Sequence, residues 1–342
     1  MKKGYSISMV FIIAMFCVAQ IGCDYYGVNF SGRNFNAKFI EERDWTFDAD
    51  GIALIDTEVM HGSIKVNAVD TSEIKVHAIK TIRAKTEAKA EQFAGQVQVW
   101  AMQDNDKLRL YIKRPERYKD YSIGVSYTIS CPKEVALKLK STHGKIEIDG
   151  IEDTVDANTT HGSIYLNGGR NNIKLNTTHA TVDLKNCVGR VDVHTTHGKI
   201  IANNIQADQE AIILKTSHAP ITVNESSGVF DLGTTHGSIN AQIDSLYQHG
   251  NFSSTHGSVH IAVANDVAPI KVNTNHGSVS VALPGDFSGQ LDASTSNNVV
   301  QSDFPVAVKS AKKNRLYGPI GGGGDTRIYV RNDHGKITIT KN

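Results

Sequence analysis

Imidazole is the side chain with the most chemistry to offer in this sequence, and its placement is regular. Ten of the 14 histidines stand in one recurring phrase, complete at Thr159-Thr160-His161-Gly162-Ser163-Ile164. Near-copies carry His143, His179, His197, His218, His236, His256 and His276, with outliers at His61 and His334. The eight central histidines are 18, 18, 18, 21, 18, 20 and 20 residues apart, a period that marks a stacked array. Stacking at strand spacing sets equivalent residues about 4.8 Å apart. Adjacent imidazoles could then share Zn²⁺ or Cu²⁺, both of which accept nitrogen ligands. Against a metal stands the position two after each histidine: Lys145, Ser163, Thr181, Lys199, Pro220, Ser238, Ser258 and Ser278 bring no carboxylate. The preferred reading is architectural, with no metal and no cofactor. In it, neutral rings stack on one another and bond Thr hydroxyls or turn carbonyls. Under either reading, protonating neighbours places like charges side by side, so acid works against the stack.

Other chemistry is sparse. Enzymes that cleave polysaccharide on stacked coils need clustered carboxylates. Here Asp156 and Asp192 alternate with Lys138 and Lys174, which points to a salt-bridged face. Asp183, Glu147 and Glu225 are expected to share no row. No serine elbow is present, and Gly321 to Gly324 lack the Gly-Lys-Ser/Thr ending of a phosphate loop.

The elements that must position the histidines follow from parity. Six and four residues before the histidine stand apolar side chains such as Leu137 and Leu139, Ile173 and Leu175; Gly250 is the one exception. Three and five residues after it stand Ile146 and Ile148, Ile164 and Leu166, and their equivalents. Each side alternates with period two, as strands do, but the two sides do not share a parity. One straight strand would flip its faces at that slip, so His-Gly marks a corner between two short strands. A hydroxyl residue two before the histidine, from Ser141 to Thr274, makes a ladder just inside the corner. Each repeat is too small to bury its own apolar face, and stacking makes one core. The expected fold is an all-β parallel β-solenoid of about ten coils, right-handed by the crossover rule.

A net charge of +1 gives no bias toward nucleic acid, and 40% hydrophobic residues exclude a long disordered chain. The start reads as a targeting segment: Lys2 and Lys3, an apolar run from Ile7 to Val18, then Ile21-Gly22-Cys23. This resembles a bacterial lipoprotein signal, in which Cys23 is lipidated and tethers the protein to the membrane. Gln20 stands where that signal carries Leu, so an ordinary cleaved signal and an uncleaved anchor stay open. Cys131 and Cys187 are read as small buried residues.

Five segments are expected: a signal over 1–22, a tether over 23–44, an N-terminal β cap over 45–133, the solenoid over 134–302 and a closing segment over 303–342. The cap holds a first corner at His61, a short helix over 84–94 stopped by Gly95, and a hairpin around Asp104-Asn105-Asp106. In the last repeat Thr295-Ser296-Asn297-Asn298 replaces the phrase, and a final corner at His334 is expected to close the C-terminal end.

The chain resembles the bacterial β-strand-repeat domain of unknown function often labelled as adhesin-like. The residues that carry the resemblance are His61-Gly62-Ser63-Ile64 with its helix-and-hairpin insertion, the repeated Thr-x-x-Gly-x-Ile corners, and the closing Gly318-Pro319-Ile320-Gly321-Gly322-Gly323-Gly324 followed by the Asp333-His334-Gly335-Lys336-Ile337 corner. The resemblance implies a β-solenoid at the cell envelope with no established enzyme activity, and it supplies no site residues. The expected function is therefore a non-enzymatic envelope lipoprotein, a surface-binding or structural module. Its partners would be the membrane, through the lipid, and cell-wall or surface glycan. A divalent-metal ladder is the alternative, and a carbohydrate-active enzyme stands behind it.

Overall fold

The computed structural model describes residues 35–307 and 310–342. The expected signal and Cys23 lie outside the described residues. The parity slip at each histidine is a corner: strand Ala136–Ser141 ends two residues before His143, and Ile146–Ile151 begins three after it. The next repeats turn the same corner, with Val155–Asn158 and Asn172–Asn176 each ending three residues before the histidine and Ile164–Gly168 and Val182–Val188 each beginning three after it. Strands of successive repeats pair in parallel and in register. Leu137 faces Val155, which faces Ile173, which faces Val191. Beyond the corner, Ile146, Ile164, Val182 and Ile200 form an equivalent row. These side chains are buried in one continuous core that runs from Ile52 to Ile339. The sequence period thus becomes a set of spatial rows, because parallel in-register pairing puts like above like.

The one interruption of the apolar pattern has a packing cause. Gly250 lies beside Phe230 in the neighbouring strand, and a Cβ on it would stand 2.7 Å from the Phe252 ring. The ring of Phe252 occupies the space that a side chain at 250 would need.

Chain order and spatial order part at the C-terminal end. Strand Ile270–Thr274 pairs with Arg327–Asn332, and that strand pairs in turn with Gly289–Thr295. The His334 repeat is therefore inserted between the His276 repeat and the degenerate Asn297 repeat. It does not close the end, as its position in the sequence suggested. Closure falls to the Asn297 repeat, against which Arg315–Ile320 runs antiparallel.

The N-terminal insertion covers the other end. Leu54–Val59 and Ile64–Ala68, which flank His61, pair directly with Ala136–Ser141 and Ile146–Ile151. On their far side lie Lys107–Lys113 and Ser122–Cys131. The expected tether is shorter than 23–44, since residues 37–44 belong to strand Ala37–Asp48, antiparallel to Glu73–Ala84. The helix is Glu87–Ala94, capped by Thr86, with Ala90, Phe93 and Ala94 buried at helical spacing. Gly95 ends it with φ of −62°, so glycine is not used there for a left-handed turn. Lys80, 3% exposed, donates to the carbonyls of Ala94 and Val97 at 2.9 Å each and pairs with Glu41 at 2.6 Å. Burial would raise the Glu41 carboxyl, but its bonds to Lys80 and Arg43 outweigh that and hold it below the usual carboxylate range.

Candidate functional site: a ladder of stacked imidazoles

The site is built from the backbone outward. At each corner the histidine N–H donates to a carbonyl of the preceding repeat, from Met60 under His143 to Asn275 under His334, at 2.8–3.1 Å. The residue after it must approach that repeat closely. A Cβ on Gly144, Gly162, Gly198, Gly237, Gly257, Gly277 or Gly335 would lie 1.5–2.1 Å from the carbonyl oxygen of the corner residue beneath. Glycine is selected by this approach, not by a positive φ.

The hydroxyl ladder serves that same backbone. Ser141, Thr159, Thr195, Thr234 and Ser254 accept from the glycine N–H of their own corner at 2.8–3.2 Å. Thr159, Thr177, Thr216, Thr234, Ser254 and Thr274 donate to the corner carbonyl of the preceding repeat at 3.0–3.4 Å. Asn332 performs both roles in the His334 repeat, with its amide donating to Gly277 and accepting from Gly335. Hydroxyl-to-imidazole bonding, expected from the sequence, is not what the structure shows: the hydroxyls hold the glycines.

The rings themselves project outward and are exposed at all ten positions. They form one unbroken stack in the order His61, His143, His161, His179, His197, His218, His236, His256, His276, His334. Centroids are 4.5–5.1 Å apart. From His143 onward neighbouring planes lie within 12° of parallel, while His61 and His143 differ by 26°. Of the ten rings of the ladder, only that of His334 has a hydrogen bond to protein among the described residues, at 3.3 Å from the Asn275 carbonyl. The other rings leave their nitrogens to solvent. At the N-terminal end, burial, the neighbouring His143 and then Arg114 hold His61 below the usual imidazole range.

The other sequence candidates do not converge. Asp156 lies in register between Lys138 and Lys174, and Lys174 beside Asp192, as the alternation required. The carboxylates nevertheless find other partners: Asp156 accepts from Asn158, and Asp192 lies 2.7 Å from His194. Glu147 and Asp183 do share a row, contrary to expectation, but Tyr165 stands between them and Glu147 is ion-paired with Lys145. Cys131 and Cys187 are free and buried, and burial pushes each thiol up to about 12. Among the described residues no three His, Cys, Asp or Glu side chains are grouped to hold a metal ion, and no helix is long and apolar enough to cross a membrane. One feature escaped the sequence reading: a second ladder at the opposite turn. Asn167 donates to Asp149, Asn186 to Asn167, and Asn204 to Asn186, at 2.6–2.8 Å. Its signal was there in asparagines spaced 19 and 18 residues apart.

Fold and site define a β-solenoid-like repeat protein with one edge given over to imidazole. The chain belongs to the Toastrack DUF4097 family, whose model matches residues 52–340. No curated protein matches it. Among solved structures it is similar to a "putative adhesin" from Parabacteroides merdae, with 14% identity over 89% of this chain and 96% of that one, at a TM-score of 0.45. It is also similar to a "putative adhesin" from Parabacteroides distasonis, with 11% identity over 88% and 97%, at 0.41. A third, from the same organism, is described as a "putative lipid binding protein", with 12% identity over 89% and 96%, at 0.39.

Proposed function

We propose that this chain is a non-enzymatic binding module of the bacterial cell envelope. In this reading Cys23 carries a lipid that anchors it, and a right-handed solenoid of about ten coils presents its histidine edge to cell-wall or surface glycan. The observation that carries the reading is the edge itself. Ten like side chains stand in one exposed row while the hydroxyls and glycines beneath them do the structural work. A flat row of repeated polar groups suits an extended polymer better than a small substrate. Each coil offers one weak contact, and many coils engaged together give avidity without a deep pocket. Glu147 and Asp156 are engaged with Lys145 and Asn158, which argues against their serving as an acid–base pair for glycan cleavage.

The test has two arms. Cells expressing the full chain are fed an alkynyl fatty acid; label on the wild type and its loss in Cys23→Ser are expected, and an unlabelled wild type overturns the anchor. Purified protein is then co-sedimented with cell-wall polymer in the presence of EDTA. Binding should decline in steps as ladder histidines are replaced by Asn from one end. Binding that is absent, or that disappears whole with one coil, overturns the multivalent edge.

A further inference from the structure

We infer that the imidazole ladder takes up late divalent cations of the Cu²⁺ and Zn²⁺ class, one ion between each two adjacent rings. This rests on the reading of the ladder as the binding edge and names a ligand class for it. The ring nitrogens are exposed, nearly all are free of protein partners, and imidazole is a preferred ligand of these metals. The planes are within 12° of parallel from His143 onward, so equivalent nitrogens repeat at nearly the centroid spacing of 4.7–5.1 Å. Imidazole lone pairs lie in the ring planes, so with metal–nitrogen bonds of about 2.0–2.1 Å and an angle of about 90–110° at the ion, two coordinated nitrogens stand about 2.9–3.4 Å apart. Two neighbouring rings must therefore leave the parallel arrangement, tilting until their lone pairs converge and their nitrogens close by about 1.5–2 Å, which exposed side chains on a fixed backbone can do by turning about their χ angles.

The geometry also sets limits. Among the described residues no third His, Cys, Asp or Glu side chain is grouped with any two rings, so water fills the remaining positions and the ions stay exchangeable. A ring that tips toward one neighbour tips away from the other, so rings pair off along the row. Ten rings accommodate at most five ions. Bound ions lie about two strand spacings apart, and their repulsion makes later sites weaker than earlier ones. Uptake requires neutral imidazole and releases protons, so it falls as the solution is acidified.

Adjacency, not histidine number, decides the outcome, and two five-fold variants separate the two. One replaces alternate rings by Asn: His143, His179, His218, His256 and His334. The other replaces a contiguous block: His61, His143, His161, His179 and His197. Asn is chosen because Asn297 already forms the corresponding corner of the outermost repeat, where its N–H donates to Asp333. The four histidines outside the row are common to every protein. The full chain, in detergent and without an affinity tag, is dialysed against CuCl₂ or ZnCl₂, and bound metal is counted by mass spectrometry. Paramagnetic resonance of the Cu²⁺ form counts nitrogen ligands. The wild type should take up to five ions with two imidazole nitrogens each. The contiguous variant should keep two, and the alternating variant should lose the ladder sites while circular dichroism shows it folded. No uptake by the wild type, or equal uptake by the two variants, overturns the proposal. Co-sedimentation with cell-wall polymer in EDTA is unaffected by that failure, so the two readings fall separately. Should the alternating variant fail to fold, the wild-type stoichiometry and the nitrogen count still decide.

Discussion

The two turns of each repeat face the same demand and meet it differently. At the histidine corner one residue type persists through ten repeats, over glycines pressed against the carbonyls beneath. At the opposite turn an Asp-Asn-Asn-Asn ladder lasts from Asp149 to Asn204 and then dissolves. Beyond it the turn is absorbed into long strands, Ile200–Lys215, Ile221–Thr234 and Ile239–Ser254. Left-handed residues there differ from repeat to repeat: Asn204, Glu225 and Gln248, with φ of 52°, 48° and 50°. Stacking therefore tolerates several ways of closing a repeat. Imidazole is not one of its requirements even at the regular corner, since Asn297 closes the outermost repeat without it. The uniform row is more than stacking demands, and it faces solvent.

The sharpest way to break this contrast is to fill the close approach. Gly257→Val places a Cβ 1.8 Å from the Gly237 carbonyl oxygen, and backbone on both sides must shift. A loss of about 3 kcal/mol or more is expected, read as a lower urea midpoint with hydrogen exchange rising first in the flanking repeats. Ala180 and Ala219 show that some corners yield to a methyl group, so Ala at 257 should cost less than Val.

Next in size is the hydroxyl beneath the corner. Thr195→Val deprives the Gly198 N–H of its acceptor, 3.0 Å away and buried. About 1–2 kcal/mol is expected, with Thr195→Ser close to wild type because Ser141 and Ser254 do the same work in their own repeats. Equilibrium unfolding of the two variants side by side reads the difference.

The far turn should respond more weakly. Asn186 has φ of 56° and lies exposed. Asn186→Gly loses its ladder bonds but removes the cost of a left-handed side chain, so a change below about 1 kcal/mol is expected. A loss as large as that of Thr195→Val would show the two turns to be equally demanding, and the contrast would fail.

The smallest expected effect is a pH slope. His61 is held below the usual imidazole range, so the folded state favours its neutral form more than the unfolded state does. Its contribution is complete above about pH 6.5 and is lost as the pH falls through the folded value. In His61→Asn, unfolding followed from pH 8 to pH 4 should show stability falling less steeply below that point. Parallel slopes for the two proteins would remove His61 as a source of acid sensitivity.

Much of the molecule was legible before any coordinates. The parity slip around His161, the apolar rows through Leu137 and Ile146 and the hydroxyl row through Thr159 all follow from period alone. In a parallel in-register stack, residues one period apart must lie one strand spacing apart. The helix was legible too, from its alanines and charged residues, though not the buried Lys80 that ties its last carbonyl and that of Val97 to Glu41. Period says nothing about elements that occur once. The pairing of Ala37–Asp48 with Glu73–Ala84 is one of these; the partners of the hydroxyls and carboxylates, fixed by sub-ångström geometry within each corner, are another. Nor does it say in what order repeats stack when the chain leaves the array and returns. His334 lies 58 residues beyond His276 in the sequence and one ring away in space, stacked at 4.7 Å. A single repeat has no core of its own, so its place depends on which exposed strands are free to receive it. Long-range pairing made that choice and carried the ladder unbroken to its tenth ring.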